Sequence, residues 1–160
     1  MEENLHRGSP LGNAGSMRPG FRLTIASEPG EVARVNAAFT AFAEAHAVPA
    51  AIRRSLNVAL DELLHNTIVH GFAGRQGGGG AVTIAVELLP DRLTVTLTDD
   101  GQPFNPFVTA APDTARSVEE RPVGGLGIHL VRQLMDEVHY HRRGGRNVVV
   151  LVKRLTGGKP

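Results

Sequence analysis

The sequence contains no cysteine and no tryptophan, and its aromatic side chains amount to six phenylalanines and one tyrosine. Without cysteine there can be no disulfide, no thiolate metal site and no cysteine nucleophile, which suits a reducing compartment. The few aromatic side chains also offer no stacking platform for single-stranded nucleic acid.

An excess of either charge is also missing, since 17 Lys and Arg residues face 16 Asp and Glu residues. Binding to a phosphate backbone needs concentrated positive charge, so we expect no direct nucleic-acid partner. No apolar run reaches the ~18 residues of a membrane helix, and the first residues lack the basic-then-apolar order of a signal peptide. We therefore expect a cytoplasmic protein without a membrane partner.

The length of 160 residues fits one domain with one hydrophobic core. Residues 1–20 are rich in Gly, Pro, Asn and Ser and show no apolar periodicity, which predicts a flexible N-terminal tail. We predict the folded domain over residues 21–155 and a C-terminal tail over residues 156–160.

The spacing of apolar residues predicts the order of the secondary structure. Alternation indicates strands, and steps of three and four residues indicate helices. The predicted elements are a strand from Phe21, a helix to about His46, a central helix, a hairpin over residues 82–97, a helix to about Asp136, and two closing strands around residues 138–140 and 148–152.

The central helix, Leu56–His70, carries the first candidate functional residues. Its buried stripe is predicted to contain Leu56, Leu60, Leu63, Leu64, Thr67 and Ile68. Glu62 and Asn66 lie one turn apart on the opposite, polar face. A carboxylate can accept a proton from a hydroxyl, and an amide oxygen can bind Mg²⁺. The same pattern also describes a plain solvated helix face.

The second candidate segment follows the hairpin, where Asp99 ends a strand and Gly101 comes two residues later. A carboxylate there can accept a hydrogen bond from the amino group of adenine, and a residue without Cβ lets a flat base lie against the backbone. An ordinary Asp-Gly turn is the alternative interpretation.

A long loop, residues 107–123, leads to the third segment and has the length of a lid or binding loop. Gly124, Gly125 and Gly127 follow it at the start of an amphipathic helix, where free backbone N–H groups favour an anion. The alternative is a glycine-rich hinge before a core helix. The run Gly77–Gly80 is not interpreted as a phosphate loop, because it precedes a strand and no Gly-Lys-Ser/Thr follows it.

The order Glu62-x-x-x-Asn66, Asp99-x-Gly101, Gly125-x-Gly127 resembles the nucleotide site of the GHKL, or Bergerat-fold, ATPases. The resemblance covers about residues 21–155. Within that family the chain is similar to the stand-alone anti-sigma-factor serine/threonine kinases, on the segments Glu62–Gly71, Asp100–Pro106 and Gly124–Val131. The implied fold is a two-layer α/β sandwich, a mixed and mostly antiparallel sheet with three helices on one face.

The resemblance also implies roles for individual residues. Glu62 would be the catalytic base and Asn66 the Mg²⁺ ligand. Asp99 would accept a hydrogen bond from the amino group of adenine, with Gly101 beneath the base. The remaining positions that match the family would approach the phosphates of ATP: they are Gly124, Gly125 and Gly127, with Arg116 and Arg121 as candidates for the γ-phosphate. Asn147 stands where relatives often have threonine.

The implied function is ATP- and Mg²⁺-dependent phosphorylation of a small STAS-type antagonist (anti-anti-sigma) protein, with a sigma factor as second partner and a homodimer as the common assembly of relatives. Three alternatives stay open. The chain could be a binding module of this fold without useful kinase activity, the catalytic piece of a histidine kinase, or an interaction protein that binds no nucleotide. The second lacks support because no long dimerising helix pair precedes the site.

Overall fold

The structure, a computed structural model, describes residues 18–75, 79–108 and 125–156. The helices and strands follow the predicted order in these ranges. They are β1 (Gly20–Ala26), α1 (Val32–Ala45), α2 (Ala50–Asn66), β2 (Ala81–Leu88), β3 (Arg92–Asp99), α3 (Gly125–Leu134), β4 (Glu137–Arg143) and β5 (Arg146–Arg154). Most of the two predicted tails and of the long loop before α3 lies outside the described residues.

The five strands form one sheet in the order β1-β2-β3-β5-β4, and all four neighbouring pairs are antiparallel. The family resemblance implied a mixed, mostly antiparallel sheet. β3 and β4 do run in the same direction, but β5 lies between them, so these strands form no parallel ladder. This arrangement arises because α3 carries the chain back from the end of β3 to the start of β4, and a tight turn then leads into β5.

The turn between β4 and β5 consists of two glycines, Gly144 and Gly145, whose φ angles are 58° and 74°. Positive φ at both central residues is what a two-residue hairpin turn of this hand requires, and glycine adopts it without strain. The turn places β5 inside the sheet, which agrees with the nearly continuous apolar sequence of residues 148–152.

The core lies between one face of the sheet and the three helices. Val86, Val95 and Leu151 pair across three strands and are at most 1% exposed. Phe39 of α1 and Leu60 of α2, both fully buried, cover them from the helical layer together with residues of α3. Each such side chain contributes about 1.5–3 kcal/mol when it leaves water. The predicted two-layer α/β fold is confirmed.

The helices α1 and α2 form a hairpin that returns the chain to the end of the sheet where β1 finished, so β2 pairs antiparallel with β1. Asn57 donates a hydrogen bond across the hairpin to the hydroxyl of Thr40 at 3.0 Å, and Arg53 forms an ion pair with Glu44 at 2.7 Å. None of the helices within the described ranges combines the length and the apolarity needed to span a bilayer.

The α-helical part of α2 ends at Asn66, and one π-helical turn, Thr67–Gly71, continues it. The sequence predicted a single regular helix to His70. Single π-helical turns at the end of an α-helix widen the backbone and occur frequently at functional sites. Here the turn begins directly after Asn66 and about one helical turn after Glu62, the two polar residues of the predicted site.

Candidate active site

Glu62 lies on α2 beside the first turn of α3. Its residue is half-buried, and a Cβ added to Gly127 would overlap the carboxylate oxygen Oε2. A larger residue at position 127 would displace the Glu62 side chain, so glycine lets the carboxylate lie against the start of α3 in this conformation. The free N–H groups of a first helical turn carry partial positive charge. The structure thus brings together Glu62 and the predicted anion-binding segment that starts with Gly125.

Asn66 is more buried than its predicted position on an open polar face, with only 5% of its surface exposed. The helical pattern of α2 alone could not show this burial, because it depends on the tertiary neighbours of the helix and not on the spacing of its own apolar residues. The side-chain nitrogen Nδ2 is buried and has no hydrogen-bond partner among the described residues. An unpaired buried amide costs about 1–3 kcal/mol.

The unpaired amide of Asn66 is chemically suited to the Mg²⁺ ion that the family resemblance implies. Its oxygen is a suitable ligand for Mg²⁺, and its nitrogen would donate to a phosphate oxygen or to a metal-bound water. The described residues contain no cluster of three His, Cys, Asp or Glu residues that could hold a metal by themselves. Mg²⁺ in nucleotide sites commonly takes most of its ligands from phosphates and water, so one protein amide is chemically sufficient.

The end of the π-helical turn is tied to the loop after β3 by Gln102. The backbone N–H of Gln102 donates to the carbonyl of Gly71 at 2.8 Å, and its side-chain amide donates to the carbonyl of His70 at 2.7 Å. These two carbonyls would otherwise lack partners at a helix end. The contacts connect the helix that carries Glu62 to the segment that carries Asp99.

Asp99 ends β3 and is 6% exposed. Its oxygen Oδ1 accepts hydrogen bonds from the backbone N–H of Gly101 at 2.9 Å and from the side-chain amide of Asn147 at 2.8 Å. Burial raises the pKa of the Asp99 carboxyl, and these two hydrogen bonds oppose the shift. The other oxygen, Oδ2, accepts nothing from the described residues and is available to a ligand.

Gly101 lies in close contact with the π-helical turn. A Cβ at this position would overlap the carbonyl oxygen of Gly71, so glycine is required where the two segments meet. A cleft of about 320 Å³ opens beside this contact, lined by residues 71–75 and 100–102. Arg75 and Asp100 form an ion pair at 3.4 Å on its wall, and a hydrogen bond from the N–H of Ala81 lowers the pKa of Asp100.

The structure therefore gathers the described part of the predicted site in two groups. Glu62 beside the start of α3, with Asn66 one turn further along α2, forms one, and Asp99 with Gly101 forms the other; Gly71 and Gln102 connect the two. Three predicted residues, Gly124, Arg116 and Arg121, lie outside the described residues. Their predicted contacts with phosphate stay predictions.

Sequence reasoning missed Gln102, Tyr140 and Arg142, and it noted Asn147 only as standing where relatives often have threonine. Asn147 begins β5 and pairs in register with Asp99 at the end of β3. An amide at one strand end opposite a carboxylate at another would predict this contact. The prediction requires the register between β3 and β5, whose paired residues Asp99 and Asn147 are 48 positions apart in the sequence.

A sequence model described as the histidine kinase-like ATPase domain matches residues 25–153 of the chain. The chain belongs to this family. The GHKL assignment made from the order of the motifs is thereby confirmed, and the matched range of this histidine kinase-like ATPase domain includes every described site residue. Membership implies binding of ATP.

Curated relatives of this ATPase domain are named as protein kinases or as an anti-sigma factor. A serine-protein kinase RsbW of Bacillus pumilus is 32% identical over 100 residues, which cover 59% of this chain and 61% of that protein. A serine/threonine-protein kinase BtrW of Bordetella bronchiseptica is 29% identical over 102 residues, covering 64% and 70%. An anti-sigma F factor of Clostridium beijerinckii is 27% identical over 106 residues, covering 62% and 68%.

Among solved structures, a crystal structure of the RsbU and RsbW domains of a Mycobacterium tuberculosis protein matches the fold with a TM-score of 0.62. The sequences are 17% identical, and the match covers 86% of this chain and 32% of the other. At this identity the likeness concerns the fold alone. It agrees with the two layers described above.

Proposed function

We propose that the chain is an ATP- and Mg²⁺-dependent serine/threonine protein kinase of the anti-sigma type. Its substrate would be a small STAS-type antagonist protein, and its second partner a sigma factor. The unphosphorylated antagonist would occupy the kinase, and phosphorylation would release it and free the kinase for the sigma factor. The names of the curated relatives support this proposal, with identities near 30%.

One observation carries the proposal, which is the contact of the Glu62 carboxylate with Gly127 in the first turn of α3, one helical turn before the buried and unpaired amide of Asn66 on α2. A proton acceptor lies against a helix N-terminus there, and an unpaired amide follows it on the same helix. These are the groups that phosphoryl transfer needs, because its catalysis rests on positioning and on neutralising charge. The free oxygen of Asp99 supplies a separate contact suited to a base.

The proposed step transfers the γ-phosphoryl group to a serine hydroxyl. The hydroxyl oxygen forms a bond to the γ-phosphorus, the bond between that phosphorus and the β–γ bridging oxygen breaks, and ADP leaves. Glu62 orients the hydroxyl and accepts its proton, which then passes to solvent. When bound, Mg²⁺ neutralises phosphate charge beside Asn66. The N–H groups at the start of α3 donate to phosphate oxygens.

A labelling experiment tests the proposal directly. The purified chain is incubated with Mg²⁺, γ-³²P-ATP and candidate STAS-type antagonist proteins in turn, with α-³²P-ATP as control. Kinase activity would label a serine or threonine of the antagonist from the γ-labelled nucleotide only. If the chain binds ATP but no antagonist becomes labelled, the ATP-dependent binding module replaces the kinase as the function.

Replacing Asp99 by asparagine should lower the affinities for ATP and for ADP to the same degree, by roughly ten- to hundredfold. The lost contact is a hydrogen bond to a charged acceptor at the base, worth about 1.5–3 kcal/mol, and it does not involve the γ-phosphate. Competition of each nucleotide against a fluorescent ATP analogue measures both affinities. A variant that loses ATP and keeps ADP would place the base elsewhere.

Acidification should weaken nucleotide binding through the same carboxylate. The raised pKa of Asp99 means that it protonates at a higher pH than an exposed aspartate, and the proton will occupy Oδ2 because Oδ1 already accepts two hydrogen bonds. Affinity should be constant above this pKa and fall about tenfold per pH unit below it. The ratio of wild-type to Asp99→Asn affinity removes the titration of ATP itself. A flat ratio would contradict the assignment.

A further inference from the structure

Asn147 makes five hydrogen bonds although only 2% of its surface is exposed. Its oxygen Oδ1 accepts from the hydroxyl of Tyr140 at 2.8 Å, from the guanidinium of Arg142 at 2.9 Å and from the N–H of Phe104 at 3.3 Å. Its nitrogen Nδ2 donates to Asp99 Oδ1 and to the carbonyl of Gln102, both at 2.8 Å. The amide is therefore fully used on both sides.

The charges around Asn147 fix which way its amide points. A flipped amide would turn its N–H groups toward Arg142, which can only donate, and its oxygen toward the carboxylate of Asp99, which accepts. Both contacts would become repulsive. The observed orientation is thus required by the partners, and Arg142 enforces it because a guanidinium can only donate hydrogen bonds.

The fixed amide of Asn147 determines the orientation of the Asp99 carboxylate. The two donors at Oδ1, from Asn147 and Gly101, hold the carboxylate plane and use both lone pairs of that oxygen. Rotation of the carboxylate would break both hydrogen bonds. Oδ2 is left as a single acceptor with a fixed direction.

Arg142 also reaches the turn on which the base would lie. The same guanidinium nitrogen that contacts Asn147 is 3.3 Å from the carbonyl oxygen of Gly101. Arg142 is a residue of β4, the edge strand of the sheet, and its own surface is exposed. An edge-strand side chain is thereby connected to both ends of the Asp99–Gly101 segment.

We propose that Asn147, oriented by Arg142, is a positioning residue that sets the base selectivity of the nucleotide site. Asn147 holds Asp99 so that only a base with an amino group opposite Oδ2 binds well. The inference rests on the proposed binding of ATP at Asp99. It goes beyond that function by assigning the selectivity for adenine to Asn147 and Arg142.

Inosine triphosphate is the probe that isolates this effect. Its base carries an oxygen where adenine carries the amino group, and an N–H where adenine has a bare ring nitrogen. A fixed acceptor at Oδ2 repels the inosine oxygen. If the carboxylate can rotate, it can turn to accept the inosine N–H instead, so loss of the positioning residues should reduce the preference for ATP.

The experiment measures the dissociation constants of ATP and ITP for the full chain and three variants. Arg142→Ala removes the charged donor from an exposed position, and Asn147→Ala removes the amide itself. Arg146→Ala is the matched control, an exposed arginine of the same hairpin whose side chain forms no hydrogen bond or ion pair among the described residues. Circular dichroism and thermal melting check that each variant folds.

We expect the ratio of the ITP to the ATP dissociation constant to fall by about three- to tenfold in Arg142→Ala and at least as much in Asn147→Ala, with no change in Arg146→Ala. A structural role alone would weaken both nucleotides equally, and an unchanged ratio in folded Arg142→Ala overturns the inference even if Asn147→Ala does not fold. If the wild-type chain binds ATP poorly or not at all, the proposed function fails as well.

Discussion

Replacing Glu62 by glutamine should lower phosphoryl transfer to the antagonist by roughly 10²–10⁴-fold. Glutamine keeps the size of the side chain that packs against the start of α3 at Gly127, but it cannot accept the proton of the incoming hydroxyl. ATP binding should persist, because the carboxylate acts on the nucleophile. Removing a negative charge beside the triphosphate could even strengthen binding.

The measurement pairs single-turnover phosphorylation with binding of a fluorescent ATP analogue. Asp61→Asn is the matched control, since Asp61 is the neighbouring carboxylate on α2 but accepts a hydrogen bond from Asn36 of α1. This control should phosphorylate the antagonist at the wild-type rate. Full activity of Glu62→Gln would exclude Glu62 as the base.

Replacing Asn66 by alanine should abolish Mg²⁺-dependent binding of ATP while the free energy of unfolding changes little. Loss of a residue that only orients a metal ligand already costs 10–100-fold in metal affinity, so loss of the ligand itself should exceed about 100-fold. The fold should tolerate the change because the amide nitrogen of Asn66 is buried without a partner, and its removal relieves that penalty.

Asn57 of the same helix provides the opposite control. Its amide nitrogen donates to Thr40 across the α1–α2 hairpin, so Asn57→Ala should lower the melting temperature and leave ATP binding intact. Calorimetry with and without Mg²⁺ gives the ATP affinities of the wild type and of both variants, and thermal melts give their melting temperatures. Equal Mg²⁺-dependent affinity in wild type and Asn66→Ala would remove Asn66 from the site.

Prediction from sequence succeeded where short-range periodicity decides the structure. The buried stripe of α2 follows from the 3.6-residue repeat, and Leu60 and Leu63 are buried as expected. The two strands of the hairpin follow from the alternation of apolar and polar residues. The Gly125-x-Gly127 pattern was placed correctly at a helix start.

Prediction failed where a second element changes the surroundings of a residue. The close contact of Glu62 with Gly127 depends on α3, which begins about 60 positions later in the chain. The hydrogen bonds of Asn147 depend on the register between β3 and β5, and those of Arg142 on β4 pairing with β5. A periodicity of two or 3.6 residues contains no information about such long-range neighbours.

The position of β5 between β3 and β4 has a consequence for the order in which the protein is assembled during synthesis. The strands β1, β2 and β3 are made first, and the free edge of β3 must wait for the last strand of the chain before it is paired. Unpaired strand edges are sites of aggregation, and distant pairings form slowly. The contact between Asp99 and Asn147 belongs to that last pairing, so a nascent or truncated chain that lacks β5 also lacks the hydrogen bond that we propose orients Asp99 toward a base. Nucleotide binding at Asp99 would thus report that the C-terminal hairpin has docked.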